Sequence, residues 1–389
     1  MLMQMDEMQA RLDTLVEALD GQDPGAIIAA SEALATAVIL FRNSTIPAGA
    51  EQRARLLITR TLGQLEAAAI RVNDLLNGAF GLALPEVMPA ASGGVVVPLV
   101  VAEPNSAGGQ NVQVVEPMIG GTGARDGADG VDGRDSGISN LANNPVETVE
   151  AEIAVEILRY ALRPDSGGPG RWRGGCGLEI TFRVLKDGAM VLGRGMERAK
   201  FRPWGMRGGR PGARTEMVIN EGTPDERRFG KIDVLPVNRG DIVTLRTAGA
   251  GGYGDPFARD PVRVLRDVRR GLVSPDAAAR DYGVVVRDGH VDAEATARRR
   301  RDHVSEDAPH AFGAERAAWQ ALFTPDRLDR LNAALFRLPA AQRTKRRTEL
   351  YRATLQDLPA NFPLDADAEA VTAAQRARLD AAIAAIEQA

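Results

Sequence analysis

Twenty-nine of the 41 glycines in this chain fall between Gly108 and Gly254. They are densest from Arg163 to Gly177 and from Thr247 to Pro256. Glycine loses more conformational freedom on folding than any other residue, so such density survives only where backbone needs positive φ or close approach. The middle of the chain must therefore be built from tight turns and backbone crossings.

Hydrophobic periodicity divides the 389 residues into three regions and predicts an α+β protein. Over residues 1–78 the apolar positions Met5, Met8, Leu12, Leu15 and Leu19 recur at alternating spacings of three and four. Leu62, Leu65, Ala69, Val72 and Leu76 repeat that pattern, which reads as a helical bundle or interaction module. Residues 82–255 change to short β-branched runs: Val95–Val101, Val112–Val115, Leu178–Leu185, Met217–Ile219 and Asp241–Arg246. In Leu178–Leu185 the residues Ile180, Phe182 and Val184 share a face, and Lys186-Asp187-Gly188 predicts a hairpin into Met190–Leu192. Glycine- and proline-rich loops, not helices, separate these strands, which argues against a doubly wound sheet.

Helices return over 256–389. Asp260-Pro261 and Ser274-Pro275 each set a capping residue before proline at the first helical position, and Gly271 and Gly283 stand where those helices should stop. Thr324-Pro325 opens another helix, with Leu328, Leu331, Leu335 and Leu338 on one face. The runs Arg298–Arg301 and Lys345–Arg347 read as solvated helix faces.

Composition excludes several classes of function. A net charge of −4 gives no reason to expect nucleic acid or an anionic membrane as partner. The longest apolar runs fall far short of the ~20 residues of a membrane helix. The lone Cys176 forms no internal disulfide, which fits a cytoplasmic protein.

Several motifs carry chemistry only in part. Gly249-x-Gly251-x-x-Gly254 matches the dinucleotide fingerprint formally, but Asp255-Pro256 stands where the phosphate-binding helix should begin. It reads as a tight turn. Asp126, Asp129, Asp132 and Asp135 recur every third residue, unlike a calcium loop, and predict turns held by their own side chains. Arg171 and Arg173 share a face on an extended segment. They either grip a carboxylate or phosphate or make intersubunit or intradomain salt bridges, and the spacing favours neither. Asp165-Ser166 before Gly167-Gly168 reads either as an oxyanion-type turn or as an ordinary Asx or Ser turn. His290, His303 and His310 show no metal-ligand spacing, and no Gly-Lys-Ser/Thr phosphate loop is present.

Six segments in order resemble the hydantoinase B/oxoprolinase family over about residues 82–350. They are Val114–Arg125, Asn144–Glu147 with Glu150, Arg163–Gly177, Phe201–Gly212, Gly249–Pro256, and Asp267–Gly271 with Tyr282-Gly283. The family includes 5-oxoprolinases, N-methylhydantoinases and subunits of acetone- and acetophenone-type carboxylases, which couple ATP hydrolysis to attack on a carbonyl. The resemblance implies a partner-dependent subunit or fragment of a cyclic-amide hydrolase, in which a metal-held water attacks the activated carbonyl. The alternatives are a carboxylase subunit and a non-catalytic scaffold or degenerate remnant. No cofactor is expected on this chain: ATP with Mg and the catalytic metal are expected on a hydantoinase A-type ATPase subunit and on a chain supplying the absent N-terminal half of the family fold. Asn144, Glu147, Asp165, Ser166, Arg171, Arg173, Gly251 and Gly252 are then the candidates for substrate-cavity wall or subunit interface. The sequence departs from the family's glycine string at Ala250.

Overall fold

The computed structural model describes residues 72–388 apart from 95–96, 135–140, 194–195, 230–231, 233, 306 and 356–372. The expected bundle of 1–78, up to residue 71, lies outside the described residues, as does Asp135. A helix over 72–83 (α1) does not stop at Gly78. A Cβ at Gly78 would sit 3.2 Å from the Trp204 ring and one at Gly81 3.0 Å from the Met206 methyl, so these glycines let the helix lie against both side chains.

Two antiparallel sheets follow. The first has the order β2-β1-β5-β9, with β1 Val97–Pro104, β2 Gln110–Met118, β5 Ala189–Gly193 and β9 Val234–Val237. The second has the order β3-β4-β10-β7-β8, from β3 Val155–Leu162, β4 Leu178–Val184, β7 Glu216–Ile219, β8 Arg227–Phe229 and β10 Ile242–Arg246. A short helix, α2 (Val146–Glu152), leads into β3. The apolar faces of the two sheets share one core, in which Leu99, Val101 and Val191 meet Ile180, Phe182, Val243 and Leu245. The alternation expected along β4 holds: Leu178, Ile180, Phe182 and Val184 are buried. On its other face Thr181 meets Thr244 at 3.0 Å, and Glu179 takes Arg246 at 2.5 Å and Arg159 at 2.7 Å. These cross-strand pairs hold the register from the face opposite the apolar core.

The hairpin predicted at Lys186–Gly188 is not formed. Val184 ends a strand of the second sheet, whereas Met190 pairs with Ala102 and Pro236 in the first. The turn, with Gly188 at φ 69°, carries the chain from one sheet to the other. Alternation tells which residues face the core; it does not tell which strand lies alongside.

Against the sandwich, the glycine-rich segments cross one another backbone to backbone. Gly168 donates to Ala250 O at 2.7 Å, Ala250 to Gly175 O at 2.8 Å, and Gly252 to Arg210 O at 3.0 Å. A Cβ at Gly251 would come 1.8 Å from Trp204 O, and one at Gly252 2.2 Å from Pro169 O. No side chain fits at these crossings. The dinucleotide reading fails for the reason expected: Asp255 caps a single 3₁₀ turn at Pro256–Ala258, and α-helix resumes only at Pro261.

The C-terminal helices start and stop as their sequences predict. Asp260 and Ser274 accept from Val262 N and Ala277 N to cap α3 (Pro261–Arg269) and α4 (Pro275–Tyr282), and Gly283 ends α4 in the left-handed region. After α5 (Ala293–Arg300), the helices α6 (Ala314–Leu322), α7 (Pro325–Arg337), α8 (Ala340–Leu355) and α9 (Ala373–Glu387) bury Leu322, Leu331, Leu335, Leu350, Leu379 and Ile383 in a separate core. The arginine run of α5 is not wholly a solvated face. Arg299 donates to Ala279 O at 2.6 Å and Arg300 to Tyr282 O at 2.8 Å, which satisfies carbonyls at the end of α4. Short strands also occur where only helices were expected: β11 (Val286–Arg287) pairs with β12 (His290–Val291), and β13 (His310–Ala311) with β6 (Gly205–Met206).

Candidate functional site

Two polar constellations are built around the glycine crossings. The first is a buried ion network. Arg259 and Arg173 are 0% and 3% exposed. Arg259 donates to both oxygens of Asp129, at 2.6 and 2.9 Å, and to Asp267 at 2.7 Å. Arg173 forks onto Asp132 at 2.8 and 3.2 Å, and its Nε lies 3.6 Å from Asp267. Asp129 also accepts from Arg173 N and Asp132 from Cys176 N. Burial alone would raise both carboxyls, but the arginine bonds outweigh it and hold Asp129 and Asp132 below the ordinary aspartate range. Of the period-three aspartates, Asp129 and Asp132 therefore do more than fasten their own turns. Asp129 and Asp132 anchor arginines far along the chain.

Of the two readings of the arginine pair, that arrangement gives Arg173 the intradomain salt bridge. Arg171 is exposed while Arg173 is buried in an intradomain ion pair, so the two do not form one fork on a ligand. Arg171 contributes its carbonyl, which accepts from Arg259 at 2.9 Å. Cys176 is buried 3.3 Å from the Arg173 guanidinium, and burial pushes its thiol up against the pull of that charge.

The second constellation is an open cleft of about 430 Å³. One wall is the segment Arg210–Glu216, which leads into β7; another is the end of β3 with Arg163 and Asp165; α4 supplies Arg280 and Asp281. Arg202 completes a set of five lining arginines with Arg163, Arg210, Arg214 and Arg280, against three carboxylates, Asp165, Glu216 and Asp281. Arg163 is pinned by Glu216 at 2.9 Å and by the carbonyls of Arg214 and Thr247. A single carboxylate, Asp281, serves both Arg210 at 3.1 Å and Arg280 at 2.7 Å. Arg202 has Glu315 4.0 Å behind it, and that carboxylate is fully buried. Burial lowers the proton affinity of Arg163 and of Arg214 in spite of the nearby acids.

Of the residues singled out by sequence, Asp165 lines this cleft, with φ 57° and its carboxylate accepting from Ser274 N at 2.7 Å. Ser166 is fully buried beside it, donating to Arg163 O and accepting from Gly177 N, a turn-holding geometry. Asn144 and Glu147 do not line it. The Asn144 side chain donates to Val114 O at 3.0 Å and its N–H to Glu116 at 3.0 Å, while Glu147 is exposed in the first turn of α2. Gly251 and Gly252 belong to the crossing behind the cleft. Arg202, Arg210, Arg214 and Arg280 escaped the sequence reading. The signal was present in the recurrence of arginine through Phe201–Arg214, but glycine and proline spacing there conceals which way each side chain turns. Among the described residues, no three His, Cys, Asp or Glu side chains converge as metal ligands, and no helix is long and apolar enough to cross a membrane.

Comparison with known proteins places the chain in a family. The family model described as hydantoinase B/oxoprolinase matches residues 61–256, and the chain belongs to that family. Among similar proteins, an uncharacterized protein of Methanocaldococcus jannaschii is 38% identical over 58% of this chain and 38% of its own length. The B subunit of a putative D-/L-hydantoinase from a Pseudomonas strain is 30% identical over the same shares. The beta chain of the caprolactamase of Pseudomonas jessenii is 35% identical over 41% of this chain and 28% of its own length. The chain thus spans less than two-fifths of the length of these relatives.

Proposed function

We propose that this chain is a working part of an ATP-dependent cyclic-amide hydrolase of the 5-oxoprolinase or N-methylhydantoinase type, active only with partner subunits. The observation that carries the reading is the family match over residues 61–256, supported by relatives named as the B component of a hydantoinase and the beta component of a caprolactamase. In this reading a hydantoinase A-type ATPase subunit uses ATP with Mg. A further chain, corresponding to the part of the relatives outside the match, holds the catalytic metal that activates water for attack on the amide carbonyl. The present chain supplies cavity wall and subunit contact, in the cytoplasm.

The test is capture of the tagged chain from its own cells, followed by mass spectrometry and assay of ATP-dependent lactam opening in the eluate. An ATPase-type subunit co-eluting together with that activity is the expected result. A chain that elutes alone, or a stable complex without ATP-dependent amide hydrolysis, overturns the proposal.

A further inference from the structure

We infer that the cleft between the Arg210–Glu216 segment and α4 is a binding site for the oxyanion head group, carboxylate or phosphoryl, of a small ligand. Three features of the cleft lead there. Its lining carries five arginines against three carboxylates, in a chain whose overall charge is −4. Guanidinium forks match the two oxygens of a carboxylate or phosphoryl group better than any other common ligand. The arginines also differ in how firmly they are held. Arg163 is fixed by two carbonyls and Glu216, a rigid floor of positive charge. Arg210 and Arg280 share one carboxylate and are 43% and 66% exposed, free to turn from Asp281 onto an incoming anion.

The volume of about 430 Å³ falls in the range of small-molecule sites. Asp281 then acts as a gate charge. It holds the two rim guanidiniums in place while the cleft is empty and competes with the ligand for them. Removing its charge should tighten anion binding, the opposite of what deleting a structural contact does. The site is independent of the amide-hydrolase reading, because the binding is a property of this chain and needs no partner or turnover.

The experiment is calorimetric titration of the full chain, at low salt and pH 7, with inorganic phosphate in one arm and glutarate in the other. Saturable binding of at least one is expected. Phosphate alone identifies a phosphoryl ligand, glutarate alone an organic acid, and both a site that reads the oxyanion only. The double variant Arg210→Ala/Arg280→Ala should weaken binding at least about tenfold, because charge-assisted bonds are the strong ones. Asp281→Asn should strengthen it several-fold, and Arg298→Ala, on the outer face of α5, should leave it unchanged. Circular dichroism verifies that each variant is folded. No saturable binding in either arm, equal binding by the wild type and the double variant, or weaker binding by folded Asp281→Asn overturns the inference.

Discussion

At the scale of single residues, the side chain most exposed to test is Arg259. It is fully buried and shared between Asp129 and Asp267. An ion pair taken out of water is weak evidence of net stability, but removing one partner strands the other charges without compensation. Arg259→Ala should therefore lower the unfolding free energy by about 3–5 kcal/mol in urea titration. A loss below about 1 kcal/mol, the value of an exposed pair, would show that water reaches Asp129 and Asp267. The same network sets a response to acid. Asp129 and Asp132 have folded-state values depressed below the ordinary 3.8, so their contribution is complete above that pH and is lost as pH falls through the lower folded values. The urea midpoint should fall as pH is lowered from about 4 towards about 2, and Asp132→Asn should make that fall smaller. An unchanged fall in the variant would remove Asp132 from the account.

At the scale of elements, the crossings of glycine-rich backbone connect the sandwich to the cleft. Gly251 carries this argument because an added Cβ would meet the Trp204 carbonyl at 1.8 Å, and neither backbone can yield without disturbing the bond from Gly251 N to Ala91 O. Gly251→Ala should cost at least about 1–3 kcal/mol of stability, as overpacked cores do. Gly109→Ala, where the new methyl finds only the Asn105 side chain at 3.4 Å, should be near neutral. Equal melting temperatures for the two variants would contradict the crossing as described. These elements also show what sequence discloses. Period-two alternation identified β4, and capping chemistry placed the starts of α3 and α4, because both signals are local. Val155–Leu162 escaped as β3 because Glu156 and Arg159 interrupt its apolar pattern, and its partner β4 lies beyond the intervening glycine run. The cleft was legible only at Asp165. Its arginines come from the residue after β3, the 201–214 segment and α4, and no local pattern records that these meet.

At the scale of the whole molecule, two hydrophobic cores are tied together through the segment that lines the cleft. The sandwich core and the core of α6–α9 are separate clusters. Between them β6 pairs with β13, the Arg202 N–H donates to Glu315 at 2.8 Å, and Phe201 meets Trp319 edge to face at 5.6 Å. The segment that bears Arg202, Arg210 and Arg214 is therefore held at its start by the helical core and at its end by β7 of the sandwich. This is the arrangement expected of a rigid binding wall. On the proposed function that wall would be one part of a catalyst, and the sequence has no phosphate loop with which to use ATP. The purified chain should therefore bind its anion yet show no turnover of ATP or 5-oxoproline until partner subunits are added. In the reconstituted mixture, Arg210→Ala/Arg280→Ala should raise KM or abolish turnover while the complex still assembles on a sizing column. Loss of assembly instead would make the arginine wall a subunit contact, and steady turnover by the chain alone, in a preparation shown by mass spectrometry to be free of partners, would mean that the whole catalytic apparatus lies within these residues.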